Sequence, residues 1–248
     1  MKHSQLFLLI FFIYALTSCK KSAIQGPTAV PFAATEYKYI GKFDTLGRPD
    51  YLVSRDSLTK ELTNYIDSLL PEGHSITATN LLSSNSDLNI KKKSEVYITF
   101  VTEGAGQLNT LGYYTYPTSA PPKKATDIGK IIYMFPNASL DGWLGGGLHE
   151  GDKINIGTFD PGTSIGFVLL EGGWNSTKKE VSTTVNHFCS NEILNPETDP
   201  NFKKHTVLLN YARENKILIG FEDQIRTDPT CDNDFNDVII YATIKGTL

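Results

Sequence analysis

Between Glu222 and Asp237 the segment GFEDQIRTDPTCDNDFNDVIIYATI packs six carboxylates around a single base, Arg226. Anions so close repel one another unless they are solvated, screened or bridged by a cation. Calcium suits such a cluster, because it takes 6–8 oxygen ligands at about 2.3–2.6 Å and tolerates irregular geometry. Asp232, Asp234 and Asn236 have the alternate-residue spacing that opens an EF-hand loop. The rest of that loop is missing: Asp237 stands where it needs Gly, and Thr243 where it needs a bidentate Glu. The apolar run VIIYATI that follows reads as a strand, so a cation here would sit in a loop leading into a strand. A second reading stays open, in which the segment is a solvated acidic turn whose Asp and Asn side chains cap backbone groups.

The cysteines carry a different chemistry. Lys2 and His3 precede an apolar run, Leu6 to Leu16, of eleven residues. That length fits a secretory h-region and is too short for a bilayer, which needs ~20 residues. The run ends in Leu16-Thr17-Ser18-Cys19, which looks like a bacterial lipobox, with Cys19 as the lipidation site and residues 1–18 as the signal peptide. An ordinary signal peptide with a chance cysteine is the blander alternative. The expectation is a fatty-acylated (palmitate-type) outer-membrane lipoprotein, soluble beyond its anchor, with the side it faces left undecided. In an exported chain the remaining pair, Cys189 and Cys231, is expected to form a disulfide. His187 lies two residues from Cys189, on the same face if both are in a strand, so a thiol enzyme is conceivable, but an oxidising compartment suits it poorly.

Other groups are weaker. Glu103 and Asn109 flank Gly104 and Gly106, which reads as a turn, since no GK[ST] follows to make a phosphate loop. His149, Glu150 and Asp152 lie in the glycine-rich run from Trp143 to Asp152, but without H-x-x-x-H spacing they read as loop. Trp143, Trp174, Tyr113, Tyr114 and Tyr116 form either a sugar-stacking platform or ordinary core and strand-edge aromatics. No G-x-S-x-G, HExxH or Walker loop occurs. A glycosidase carboxylate pair is invisible in sequence, because it is defined by a ~5–9.5 Å separation. A glycan-binding or glycan-hydrolysing module is therefore the rival to a non-enzymatic envelope protein.

These residues must be positioned by 248 residues that are 40% hydrophobic and 20% charged, with a net charge of -4. Disorder is excluded by that composition, and no basic surplus exists for nucleic acid. Loss of Lys2 with the signal peptide leaves 22 of the 23 bases against 27 acids, a balance of -5. Residues 19–35 read as a flexible tether and residues 36–75 as a lead-in containing a helix over 57–70. Asp56 is its expected N-cap, Leu58, Leu62, Tyr65, Ile66 and Leu69 its apolar face, and Pro71 and Gly73 its stop. Residues 76–248 hold short runs such as KSEVYITFV, GKIIYMF, SIGFVLL, HTVLLNY, KILIGF and VIIYATI between turn residues. Fourteen of the 20 glycines fall between Gly104 and Gly173, where turns and bulges should concentrate. The predicted fold is mainly β: a two-sheet antiparallel sandwich, jelly-roll-like, with one short N-terminal helix.

The pieces SEVYITFVTEGAGQLNTLGYYTY, FPNASLDGWLGGGLHEGDKINIG, IGFVLLEGGWN, ILNPETDPNFKKHTVLLN and IGFEDQ with DNDFNDVIIY, in that order, resemble the LruC-like exported lipoproteins. The likeness is to their carboxy-terminal domain of unknown function and covers roughly residues 76–245. It implies an exported β-sandwich with a suspected calcium site in the FED and DNDFND elements, and no catalytic residues. Carried over by position, the ligands are Glu222, Asp223, Asp232, Asp234, Asn236 and Asp237. Chain order agrees, since FED ends one strand and DNDFND opens the next. If those strands pair, both acidic groups reach one end of the sandwich. The resulting expectation is a lipid-anchored, calcium-binding module with an envelope structural, adhesion or ligand-binding role.

Overall fold

In the computed structural model, which describes Phe32 and residues 36–77, 86–142 and 145–247, the apolar runs become the strands of a β-sandwich. Cys19 and Trp143 lie outside the described residues. The first sheet holds β1 (Glu36–Tyr39), β2 (Leu88–Asn89), β4 (Thr110–Pro117), β5 (Lys130–Phe135), β7 (Thr163–Leu170) and β10 (His187–Cys189). Its order is β1-β5-β4-β7-β10, with β2 also on β7. The second holds β3 (Ser94–Glu103), β6 (Lys153–Phe159), β11 (Thr206–Tyr211), β12 (Lys216–Phe221) and β13 (Val238–Gly246), in the order β11-β12-β13-β3-β6. A small ribbon pairs β8 (Trp174–Asn175) with β9 (Glu180–Val181). Pairing is antiparallel except at one edge, where β1 adds parallel to β5. The lead-in segment is thus built into the sandwich.

Three apolar layers hold these sheets. Between them, Val96, Ile98, Phe100 and Ile240 of the second sheet meet Leu111, Phe167 and Leu169 of the first. The outer face of the second sheet (Val207, Leu218, Ile239, Tyr241) is covered by helix α1 (Lys60–Leu69) through Leu62 and Ile66. The outer face of the first (Tyr114, Tyr133, Val168, Leu170) is covered by Phe32 and by the segments around Ile128 and Leu194. With both faces dry, a strand such as Val238–Ala242 is buried at every position, so it reads as a continuous apolar run rather than an alternating one.

Two expectations need correction. The helix starts later than the spacing suggests, with Thr59 as N-cap accepting from the Leu62 amide at 3.2 Å. Asp56 has been taken for other work. Its carboxylate accepts from Thr99 Oγ1 at 3.0 Å and Tyr241 Oη at 2.6 Å, and pairs with Lys153. Burial opposes that charge, but the lysine and the two hydroxyls hold the carboxyl below its usual range.

The disulfide expected between Cys189 and Cys231 is not formed, and both are free thiols. Cys189 sits in the outer apolar layer of the first sheet beside Tyr114 and Val168. Cys231 belongs to the acidic loop, where its thiol lies within hydrogen-bonding reach of Glu222. Their chain segments serve different surroundings, so an even number of cysteines does not imply contact. Among the described residues no helix is long and apolar enough to cross a membrane.

Candidate metal centre

Strand register assembles the acidic end. β12 and β13 are neighbours, with Phe221 opposite Val238, and β13 also pairs with β3, with Val238 opposite Glu103. One residue further on, Gly104, Asp237 and Glu222 follow, and the Gly104 amide donates to the Asp237 carbonyl at 3.2 Å. The FED and DNDFND elements therefore do meet at one end of the sandwich, as their order in the chain suggests. A bulge between Ile239 and Ile240 in the β13–β3 pairing leaves Val101 as an extra residue. Paired residues share a face, so the bulge moves Glu103 to the face of Val238 and Phe100, toward the inter-sheet core.

The six expected ligands fall into two groups rather than one. Carboxylate oxygens of Glu222, Asp223 and Asp237 lie within 4.8 Å of one another, and those of Asp232 and Asp234 do the same with Glu72. A calcium shell of about 2.3–2.6 Å radius spans oxygen pairs up to about 5 Å apart, so either spacing is compatible with a shared ion. Their burial differs: Glu222 and Asp223 are each only 1% exposed with Asp237 half-buried, whereas in the other group only Asp234 is buried and Asp232 and Glu72 are exposed.

In the buried group Asp223 Oδ2 accepts from Asn109 Nδ2 at 2.7 Å, and the Asp223 amide donates to Asp237 Oδ2 at 2.8 Å. Glu222 Oε2 is buried with no hydrogen-bond partner. Arg226, the one base in the segment, forms no ion pair with them. Its guanidinium donates to Asn233 Oδ1 at 2.7 Å and to the Lys204 carbonyl at 2.9 Å. Among the described residues no ion pair reaches Glu222, Asp223 or Asp237.

Electrostatics follow from that geometry. Burial, reinforced by neighbouring acids, pushes all three carboxyls well above their usual range, Asp237 furthest. Glu222 and Asp237 lie within hydrogen-bonding reach of each other. Two carboxylates so placed must share either a proton or a cation.

The other group behaves differently. Asp234 accepts from the Gly73 amide at 2.8 Å and the Asn236 amide at 3.0 Å, while Asn236 Nδ2 donates to the Leu70 carbonyl at 3.3 Å. Here the capping reading of the loop holds: these side chains tie it to the end of α1. The loop reaches that geometry with Asn233 and Phe235 both left-handed, each at φ +61°. For Phe235 this is strained, and it is held by a fully buried ring with the Arg226 guanidinium 4.9 Å from its centroid.

Glu72, Glu103 and Asn109 join this end although the acidic segment itself contains none of them. A signal existed only for Asn109 and Glu103, which bracket one short turn between strands. The remaining candidates go elsewhere. Asp152 is clamped by Arg48 and Arg55 at 3.0 and 3.1 Å. Tyr113, Tyr114 and Trp174 are buried, and Tyr116 donates to Asp87, so these rings offer little open face for a sugar. His187 is held by the Tyr37 hydroxyl at 2.9 Å rather than by Cys189.

A family described as a domain of unknown function (DUF4114) matches residues 159–245. The matched stretch includes β7 and β10 to β13, whereas β3 and β4, with which β13 and β7 pair, precede it. No curated protein and no solved structure matches the chain.

Proposed function

We propose that this protein is a lipid-anchored envelope β-sandwich that binds calcium through Glu222, Asp223 and Asp237 and has a structural, adhesive or ligand-binding rather than a catalytic role. One observation carries the cation: a carboxylate that is 1% exposed, with one oxygen lacking any donor, stands beside two more carboxylates, and among the described residues no ion pair reaches any of the three. Leaving such an oxygen unsatisfied costs free energy that a bound cation recovers. Calcium fits better than magnesium, since backbone carbonyls and water can complete an irregular shell. Of the wider set, Asp232 is close enough to push up both Glu222 and Asp234, so it stands between the two groups. The anchor rests on Leu16-Thr17-Ser18-Cys19, and the envelope setting also on the likeness to LruC-like lipoproteins.

At a hundredfold excess over the dissociation constant, calcium adds about 2.7 kcal/mol to stability. For a chain of this size that is a rise in melting temperature of about 5–10 °C, which a chelator should remove. Glu222→Gln should abolish both the shift and the calorimetric heat of calcium binding. A chelated protein that melts like the calcium-loaded one, with no heat on titration, would leave only a solvated turn. In cells, Cys19→Ala should lose palmitate labelling; retention of the label refutes the anchor.

A further inference from the structure

Beside the proposed calcium site runs a groove that those three carboxylates do not fill. Two cavities of about 400 and 430 Å³ share Glu103 and Gly104 in their walls. Each is large enough for a small ligand group. Glu103, carried to the core face by the β13–β3 bulge, is 7% exposed. Its Oε2 accepts from the Leu140 amide at 3.4 Å, while Oε1 is buried with no partner. A residue that lines both cavities thus holds a carboxylate oxygen for which no donor stands among the described residues, a deficit that a donor from outside the chain would relieve.

The groove's surroundings say which donor. Glu72 and Asp67 line one cavity and Asp141 the other, and among the described residues no Lys, Arg or His lines either. Between the charges lie apolar walls, from Leu70 on the helix side to Leu140 on the loop side. At Gly104 the wall is closely packed, since a Cβ would stand 2.9 Å from Asn236 Oδ1 and 3.0 Å from Glu72 Oε2 and would push them toward the cavity. A naked metal ion suits this poorly, since Glu103 belongs to neither carboxylate group gathered within 4.8 Å. A cation on an apolar stem suits it well.

We infer that the groove receives a lysine or arginine side chain of a partner protein, its charged head on Glu103 and its methylene stem along Leu70 and Leu140. A partner of that charge is also favoured by the acid surplus of the whole chain, which steers basic surfaces toward it. The inference does not depend on calcium, which would occupy the neighbouring buried group.

The test uses the full mature chain and fluorescein-labelled tetralysine, with tetraglutamate as control, followed by anisotropy in chelator and in excess calcium. Tetralysine should bind in both buffers and tetraglutamate in neither. Glu103→Gln and Gly104→Ala should each weaken tetralysine about tenfold or more, as expected for loss of a charged hydrogen bond or of its space. Glu103→Gln should keep the calcium heat, with melting curves confirming that both variants fold. No tetralysine binding by the unaltered chain overturns the inference, as does binding unchanged in both variants, which marks diffuse attraction. Complete displacement of tetralysine by calcium overturns it too, since the two would then share one site. A missing calcium heat with Glu103-dependent tetralysine binding would instead strike only the calcium reading.

Discussion

A side chain's surroundings decide what its charge can do, and the acids of this end show three outcomes. Asp228 is exposed and closes a turn by accepting from the Thr230 amide. Asp234 caps the chain after α1, and Glu222 is buried beside two other carboxyls. Crowding between residues 222 and 237 is legible in the sequence because charge density is local. Sorting those acids is not, since it depends on left-handed turns at Asn233 and Phe235 and on partners as distant in the chain as Gly73 and Asn109. The thiols show the same limit. An even pair in an exported chain suggests a bridge, yet contact is a property of the fold. Burial pushes both thiols up, with Asp87 adding to Cys189 and Glu222 to Cys231. Thiolate is the reactive species, so both should be inert while the chain is folded. Ellman's reagent at pH 8 should find neither in the native mature protein and both in denatured, unreduced protein. Two thiols missing after denaturation would restore the bridge.

At the scale of elements, the helix and the strands are legible for different reasons. The helix announces itself through Leu62, Tyr65, Ile66 and Leu69 and through Pro71, and only its start departs from the spacing. Thr59 and Asp56 are both capable caps, and the choice is made by Thr99, Tyr241 and Lys153 on strands that come later in the chain. Strand existence is legible from apolar runs between turn residues, whereas sheet order and the parallel β1 are not, because pairing is non-local. The helix matters because it covers the second sheet. Leu62 is fully buried against that sheet, so Leu62→Ala should cost about 2–5 kcal/mol, as core truncations do. Glu61→Ala on the same turn, at the surface, should change stability by less than about 0.5 kcal/mol. Urea midpoints measure both, and equal effects would mean the helix is not docked as described.

Across the whole molecule, loops and turns from distant parts of the chain converge at one end of the sandwich and concentrate charge there, which makes stability depend on pH and calcium together. Among the proposed ligands, Glu222 is raised by burial from 4.5 to about 7 and Asp223 from 3.8 to about 6. Raised acids keep protons in the folded state that the unfolded state has released. Their contribution is therefore most favourable below about pH 4 and is lost as pH climbs toward 7. A tenfold difference in a group's acidity between the folded and unfolded chain corresponds to about 1.4 kcal/mol. His187, lowered by burial to about 4, acts in the opposite sense, its penalty growing as pH falls below 6.5. A bare pH profile thus mixes the two, and comparison with and without calcium at one pH separates them. Calcium requires the carboxylates ionised, so at low pH it must displace protons and at higher pH it relieves repulsion already present. The stabilising increment from saturating calcium should accordingly be larger at pH 7.5 than at pH 5, when urea midpoints are compared with those in chelator. Glu222→Gln should flatten the difference. An increment that is equal at both pH values, or larger at pH 5, would show that the bound ion is not held by these raised carboxyls.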